Sequence, residues 1–268
     1  MITTDPLRLA AQEKTYDPKR LLPVSAFDFC SLTYNEENNM DTTHPKTIAH
    51  SHTSLDTFKT CPRQYQAKYI TKEVKFKETV ATIYGNRVHE ELEMRVKNKT
   101  PLSVESAALE PMVQAIESMT GTKEAERSLA IDHEYKPVQF FSPMTYLRGK
   151  ADIMVHNEDK GSLFVGDYKT GKRKDDPAQM ETLTVLAFHT IPGIKKVKTA
   201  FIYTKTGEID DGKYEAAQIP ELVARIKLRT DRVEEAVAAN TFIPTPNGLC
   251  VQWCDVVQCK YHGKGKQR

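Results

Sequence analysis

The sequence predicts an α/β domain: a mixed central sheet flanked by helices, with a helical addition at its N-terminal side and a cysteine-bearing C-terminal tail. Three observations carry that expectation. Helical apolar spacing recurs between about residues 53 and 119, short alternating or wholly apolar stretches then read as adjacent strands, and a helical segment at 177–190 separates two of those strands. Length permits it, since 268 residues bury a substantial core.

Residues 1–50 are polar and interrupted by Pro6, Pro18, Pro23 and Pro45, and they show no sustained apolar period, so a weakly structured extension is expected. Regular pattern starts after Met40, which makes Met40 a candidate for the true start. From Thr53 and Ser54, both good N-cap residues, Leu55 and Phe58 lead into Cys61-Pro62, with Tyr65 and Tyr69 following at helical spacing. The residue before a proline avoids the α region, so Cys61 falls at the junction of two short helices. Residues 85–98 form a helix with Val88, His89, Leu92 and Val96 on one face, and 103–119 is a further amphipathic segment. Strands are expected at 128–136, 145–156, 162–169 and 198–204, and a long helix at 220–239. The strand at 162–169 is apolar on both faces until Asp167, which suits a central, doubly covered strand opening into a site. Residues 51–243 then form the main domain, and 244–268 a tail packing on the N-terminal helices.

Composition excludes some classes. Hydrophobic residues at 39% and charged residues at 28% are ordinary for a soluble protein, and no apolar run is long enough to span a bilayer. Residues 1–23 lack the basic-then-apolar pattern of a secretory signal, so a cytoplasmic location is expected, where cysteines serve as metal ligands more readily than as disulfides. With 38 basic and 36 acidic residues, the net charge of +2 makes no case for nucleic acid, which must rest on local clusters.

The chemistry concentrates at Asp152 and in Asp167-Tyr168-Lys169. In a strand, Asp167 and Lys169 project together while Tyr168 points to the other face. Antiparallel pairing through the turn near 157–161 brings Asp152 beside them, giving two carboxylates as a hard oxygen site for Mg²⁺ or Mn²⁺ next to an ammonium. Phosphodiester hydrolysis needs such a site. An Asp-x-Lys pair taken alone is equally readable as a surface ion pair worth ~0–1 kcal/mol.

Gly149-x-x-Asp152 followed by Asp167-Tyr168-Lys169 resembles the core of the PD-(D/E)XK nuclease superfamily, in its RecB-like exonuclease branch. Further pieces lie in that branch's order: Cys61-Pro62-Arg63-x-Tyr65, Gly85-x-x-x-His89, an acidic position matched by Glu134, and Gln179. Where the family shows tyrosine four residues after the glutamine, this chain has Leu183. The resemblance covers about residues 51–262 and implies a restriction-endonuclease-like sheet. It also implies a metal-dependent DNA exonuclease of replication, recombination or repair, with a CRISPR spacer-processing nuclease or a non-catalytic nucleic-acid-binding protein as alternatives. By position, Asp152 and Asp167 bind metal, the Tyr168 carbonyl adds an oxygen, His89 completes the shell and Lys169 orients water or stabilises the phosphorus. Gln179 touches substrate or the lysine. Outside the resemblance, His89 reads as a hydrogen-bonded helix-face histidine and Gln179 as a polar helix cap. An imidazole ligand favours Mn²⁺ over Mg²⁺.

The same branch holds a 4Fe-4S cluster on one N-terminal and three C-terminal cysteines, matched here by Cys61 and by Cys250-x3-Cys254-x4-Cys259. Four thiolates equally suit a structural Zn²⁺, and unliganded thiols are the third reading. Cys30 is expected to be free. Tyr65, Lys68 and Tyr69 mix aromatics with positive charge, and Lys172-Arg173-Lys174 follows the catalytic lysine directly. Both clusters are candidate contacts to DNA ends or single strands without sequence preference, a solvated loop being the bland alternative for the second.

Overall fold

The structure, a computed structural model, describes residues 48–75, 77–173 and 176–264. The expectations for residues 1–47, for Cys30 and Met40, and for Lys174 lie outside the described residues.

Helix α1 (His52–Thr60) starts at a capping box: the Ser51 hydroxyl accepts from the Ser54 N–H, and the Ser54 hydroxyl from the Ser51 N–H. It stops at Cys61, whose extended backbone precedes Pro62, and α2 (Pro62–Tyr65) begins there, running into a π-helical turn at Gln66–Ile70. A small core of Leu55, Tyr65, Val233 and Phe242 ties these helices to the C-terminal part. Helix α3 (Val80–Asn98) starts five residues before the expected position, because Thr79 and Thr82 form a second capping box, and it buries Val88, Leu92 and Val96. Helix α4 (Glu110–Ser118) follows.

Strands β1 (Thr122–Ile131), β2 (Leu147–Asn157), β3 (Ser162–Lys169), β4 (Lys196–Tyr203) and β5 (Ile209–Glu215) form one sheet in sequential order. All neighbours pair antiparallel except β3 and β4, whose parallel pairing uses α5 (Ala178–Thr190) as the crossover. On one face, Leu129, Leu147, Val165 and Phe201 pack under α5 and α6 (Ile219–Ala238); on the other, Ala125, Ile153, Phe164 and Tyr168 pack under α3 and α4. Gly149 lets α5 lie close, since a Cβ there would meet Leu183 and Leu186 side-chain carbons at 3.0 Å. This is the mixed restriction-endonuclease-like sheet that the sequence predicts. No helix among the described residues is long and apolar enough to cross a membrane.

Two differences from expectation matter. Strand β1 lies six residues before the expected start at 128, and β5 was not expected. The pleat also slips at one place in each of two facing strands. Ala125 and Leu129 have the same parity in β1 yet pack on opposite faces, as do Ala151 and Ile153 in β2. The residues spent out of alternation are Glu126 and Asp152, which the register sets opposite one another between the Ala125–Ile153 and Arg127–Ala151 pairs. Glu126 has a left-handed backbone, φ 57°, a conformation that costs a non-glycine residue ~1–3 kcal/mol.

Candidate active site

The slip delivers two carboxylates to one point. Asp152 leaves the β2–β3 ladder, whose pairing ends at Ile153–Gly166, and its Oδ2 accepts the Tyr168 N–H at 2.7 Å in place of a strand partner. From α3, His89 Nδ1 reaches within 3.4 Å of the same oxygen. The ligand atoms of His89, Glu126 and Asp152 all lie within 4.8 Å of one another. Glu126 also pairs with Lys150 on the neighbouring strand. Burial alone would lower the His89 pKa, but the hydrogen-bonding and charge of Asp152, with Asp167 and Glu126 behind it, raise it overall.

Asp167 and Lys169 project together from β3, as parity requires, with Lys169 Nζ 2.6 Å from Asp167 Oδ2. Gln179, in the first turn of α5, bridges them: its Oε1 accepts from Lys169 at 2.7 Å and its Nε2 donates to Asp167 Oδ1. The ammonium also lies 5.0 Å from the Phe201 ring centroid. Asp167 is 4% exposed, and its Oδ2 has the ion pair but no hydrogen bond. Burial, then the charge of Asp152, pushes its carboxyl up to about 6 despite Lys169. Tyr168 points to the opposite face, with its ring against His89 and its hydroxyl pushed up by burial.

These residues fit a divalent cation. An octahedral centre with bonds of ~2.1 Å sets its donors ~3–4 Å apart, within the spread of the His89, Glu126 and Asp152 atoms. Asp167 stands outside that mutually close set, held toward α5 by Lys169 and Gln179, and it offers a buried oxygen lacking a hydrogen bond.

A family model described as the PD-(D/E)XK nuclease superfamily matches residues 49–259. The chain belongs to that superfamily. No curated protein matches it. Among solved structures, this PD-(D/E)XK protein is similar to SSO0001, at 15% identity and TM-score 0.40, with 82% of this chain and 91% of that one covered. It is also similar to a Eubacterium rectale protein designated "Putative exonuclease", at 11% identity and TM-score 0.43, with 83% and 90% covered. At those TM-scores the likenesses carry no argument about activity.

The remaining sequence candidates fall variously. Glu134 lies exposed in the turn after β1, paired with Lys136, and the acidic residue beside Asp152 is Glu126 instead. The strand's earlier start is the reason. Tyr65 is 1% exposed, packed between Phe58 and Tyr69 in the small core, so it is removed from any DNA surface. Tyr69 is exposed and Lys68 half-buried. Lys172 is exposed, and Arg173 pairs with Asp210 on β5.

Cys61, Cys250 in α7 (Leu249–Gln252), Cys254 and Cys259 line one small cavity where the tail meets the α1–α2 junction. The Thr245 N–H donates to Cys61 Sγ and the Asn247 N–H to Cys250 Sγ, each at 3.4 Å. Burial pushes the Cys254 thiol up, and the other three thiols add to that. Among the described residues, no three of these sulfurs lie within 4.8 Å of one another.

Proposed function

We propose that this protein is a divalent-metal-dependent deoxyribonuclease that degrades DNA from ends or as single strands, in replication, recombination or repair. The observation that carries this reading is the convergence of His89, Glu126 and Asp152 beside the Lys169–Gln179–Asp167 network. His89, Glu126, Asp152 and Asp167, with the Tyr168 carbonyl, would hold Mn²⁺ or Mg²⁺, and the imidazole favours manganese. When bound, such an ion polarises the phosphoryl oxygen and lowers the pKa of water. Lys169, fixed by Gln179, sets an ammonium against the charge that develops on the phosphorus oxygens. Gln179 holds the lysine and Asp167 in one geometry, which is a positioning role.

The four thiols support a second cofactor. Cys61, Cys250, Cys254 and Cys259 line one small cavity, and four thiolates there would suit a 4Fe-4S cluster, with a structural Zn²⁺ as the alternative. On this reading residues 51–243 are the nuclease domain, and the cluster fastens the 244–268 tail to its N-terminal helices. Iron and sulfide content of protein purified without oxygen tests it.

The test of activity uses end-labelled linear and closed circular DNA, single- and double-stranded, with Mn²⁺, Mg²⁺ or chelator. Degradation of ends by the wild type, lost in Asp152→Ala and Lys169→Ala, is the expected result. Equal activity in all three proteins would refute the reading.

A further inference from the structure

The segment joining β1 to β2 carries apolar side chains that the hydrolytic site does not use: Phe141 is 83% exposed and Met144 47%. Phe140 and Phe141 meet edge to face with ring centroids 5.0 Å apart. The Arg148 guanidinium lies 5.1 Å from one centroid and 5.3 Å from the other, and it donates to the Phe140 carbonyl at 3.2 Å. Tight local bonds hold the segment: the Ser142 N–H and the Thr145 hydroxyl both donate to the Gln139 carbonyl, at 2.9 and 3.0 Å. Phe141 is thus presented to solvent on an ordered turn.

Its place in the fold points to an occupant. Arg148 and Lys150 share one face of β2, and Lys150 pairs with Glu126, so both line the face on which His89, Glu126 and Asp152 converge. Ser128, opposite Lys150, and Lys150 itself are exposed, which leaves a polar, cationic floor running from the carboxylates to the phenylalanines. Four residues of strand separate Asp152 from Arg148, about 13 Å, or roughly four stacked nucleotides. A polar floor carrying Lys150 and ending in the exposed Phe141, the half-buried Phe140 and the Arg148 guanidinium fits a single strand, whose phosphates follow the charge and whose bases stack on the rings. In a duplex those base faces are already covered.

We propose that Phe140 and Phe141, held by Arg148, are a stacking platform for unpaired bases on the approach to the hydrolytic site. This rests on the nuclease reading only in taking DNA as substrate.

Binding is measured by fluorescence anisotropy with the full chain in EDTA, using a labelled single-stranded oligonucleotide and an abasic one of equal length. Phe141→Ala is expected to weaken binding of the base-containing strand about tenfold and to leave the abasic strand unaffected. Phe141→Trp is expected to retain affinity, with fluorescence quenched by the base-containing strand. Equal losses on both strands, or no loss on either, would overturn the platform; the second result would leave the patch to a protein partner. Mn²⁺-dependent hydrolysis of bis(p-nitrophenyl) phosphate, which has no base, separates the two readings. Phe141→Ala keeps that activity and Asp152→Ala loses it, whereas a wild type without it refutes the nuclease reading and leaves the binding comparison to judge the platform.

Discussion

Replacing Asp167 by asparagine is expected to stabilise the metal-free protein while abolishing hydrolysis. Burial and the nearby charge of Asp152 raise the Asp167 carboxyl from 3.8 to about 6. A carboxyl whose folded pKa exceeds its unfolded one binds its proton more tightly when folded, so ionisation destabilises the fold above pH 6 and that cost fades as pH falls toward 4. The shift corresponds to about 3 kcal/mol at pH 7.5, shrinking to about 1 kcal/mol at pH 4.5. Asparagine keeps the oxygen that accepts from Gln179 and carries no charge at either pH. Urea unfolding in EDTA at both values, wild type against Asp167→Asn, isolates this group from the other carboxylates. The variant should be more stable at pH 7.5 by roughly that amount, with a smaller gap at pH 4.5. Added Mn²⁺ at a hundred times its dissociation constant should return about 2.7 kcal/mol to the wild type and much less to the variant. A variant less stable than wild type at pH 7.5, or a gap that ignores pH, would refute the account of Asp167.

Lys169→Met removes the ammonium that Gln179 fixes, and should lower turnover about 10²–10³-fold in a single-turnover assay while the fold is retained. His89→Ala should narrow the preference for Mn²⁺ over Mg²⁺, read as the ratio of rates in the two metals. Gly166→Ala sets a Cβ 2.6 Å from the Ile153 Cγ2 in the middle of the sheet, and should cost ~1–3 kcal/mol in chemical denaturation. Cys61→Ser should speed proteolysis of the tail near Cys250–Cys259, because the Cys61 sulfur accepts the Thr245 N–H and lines the cavity where the tail is held.

The parts of this fold most legible in the sequence are those where local chemistry and tertiary demand agree. Pro62 after Cys61 marks the α1–α2 break, and the apolar run through Val165 marks the central strand, because both signals are set within a few residues. Strand β5 was not legible: Asp210-Asp211-Gly212-Lys213 has poor strand propensity, and only pairing with β4 makes it a strand, as edge strands with charged residues often are. Likewise β1 mixes Lys123, Glu124, Glu126 and Arg127, so the apolar Leu129–Ile131 end drew the predicted strand six residues too far along. That offset hid Glu126 and promoted Glu134. Tyr65 shows the complementary error, since a tyrosine among lysines reads as a stacking surface until Val233 and Phe242, far along the chain, bury it. The Phe140–Phe141 pair gave no periodic signal at all, because its neighbours come from turn geometry and from Arg148 on the following strand.

Glu126 and Asp152 each act as a single surplus residue in their strands, and deleting both on paper leaves the in-and-out order of β1 and β2 unbroken. Removing an alternating residue instead, Ala151 for example, would draw Asp152 into the vacated place under α5 and take its carboxylate away from His89 and Glu126. The meeting of the two carboxylates is therefore written in chain length as much as in side-chain identity, and the two strands tolerate many exchanged residues there better than one lost.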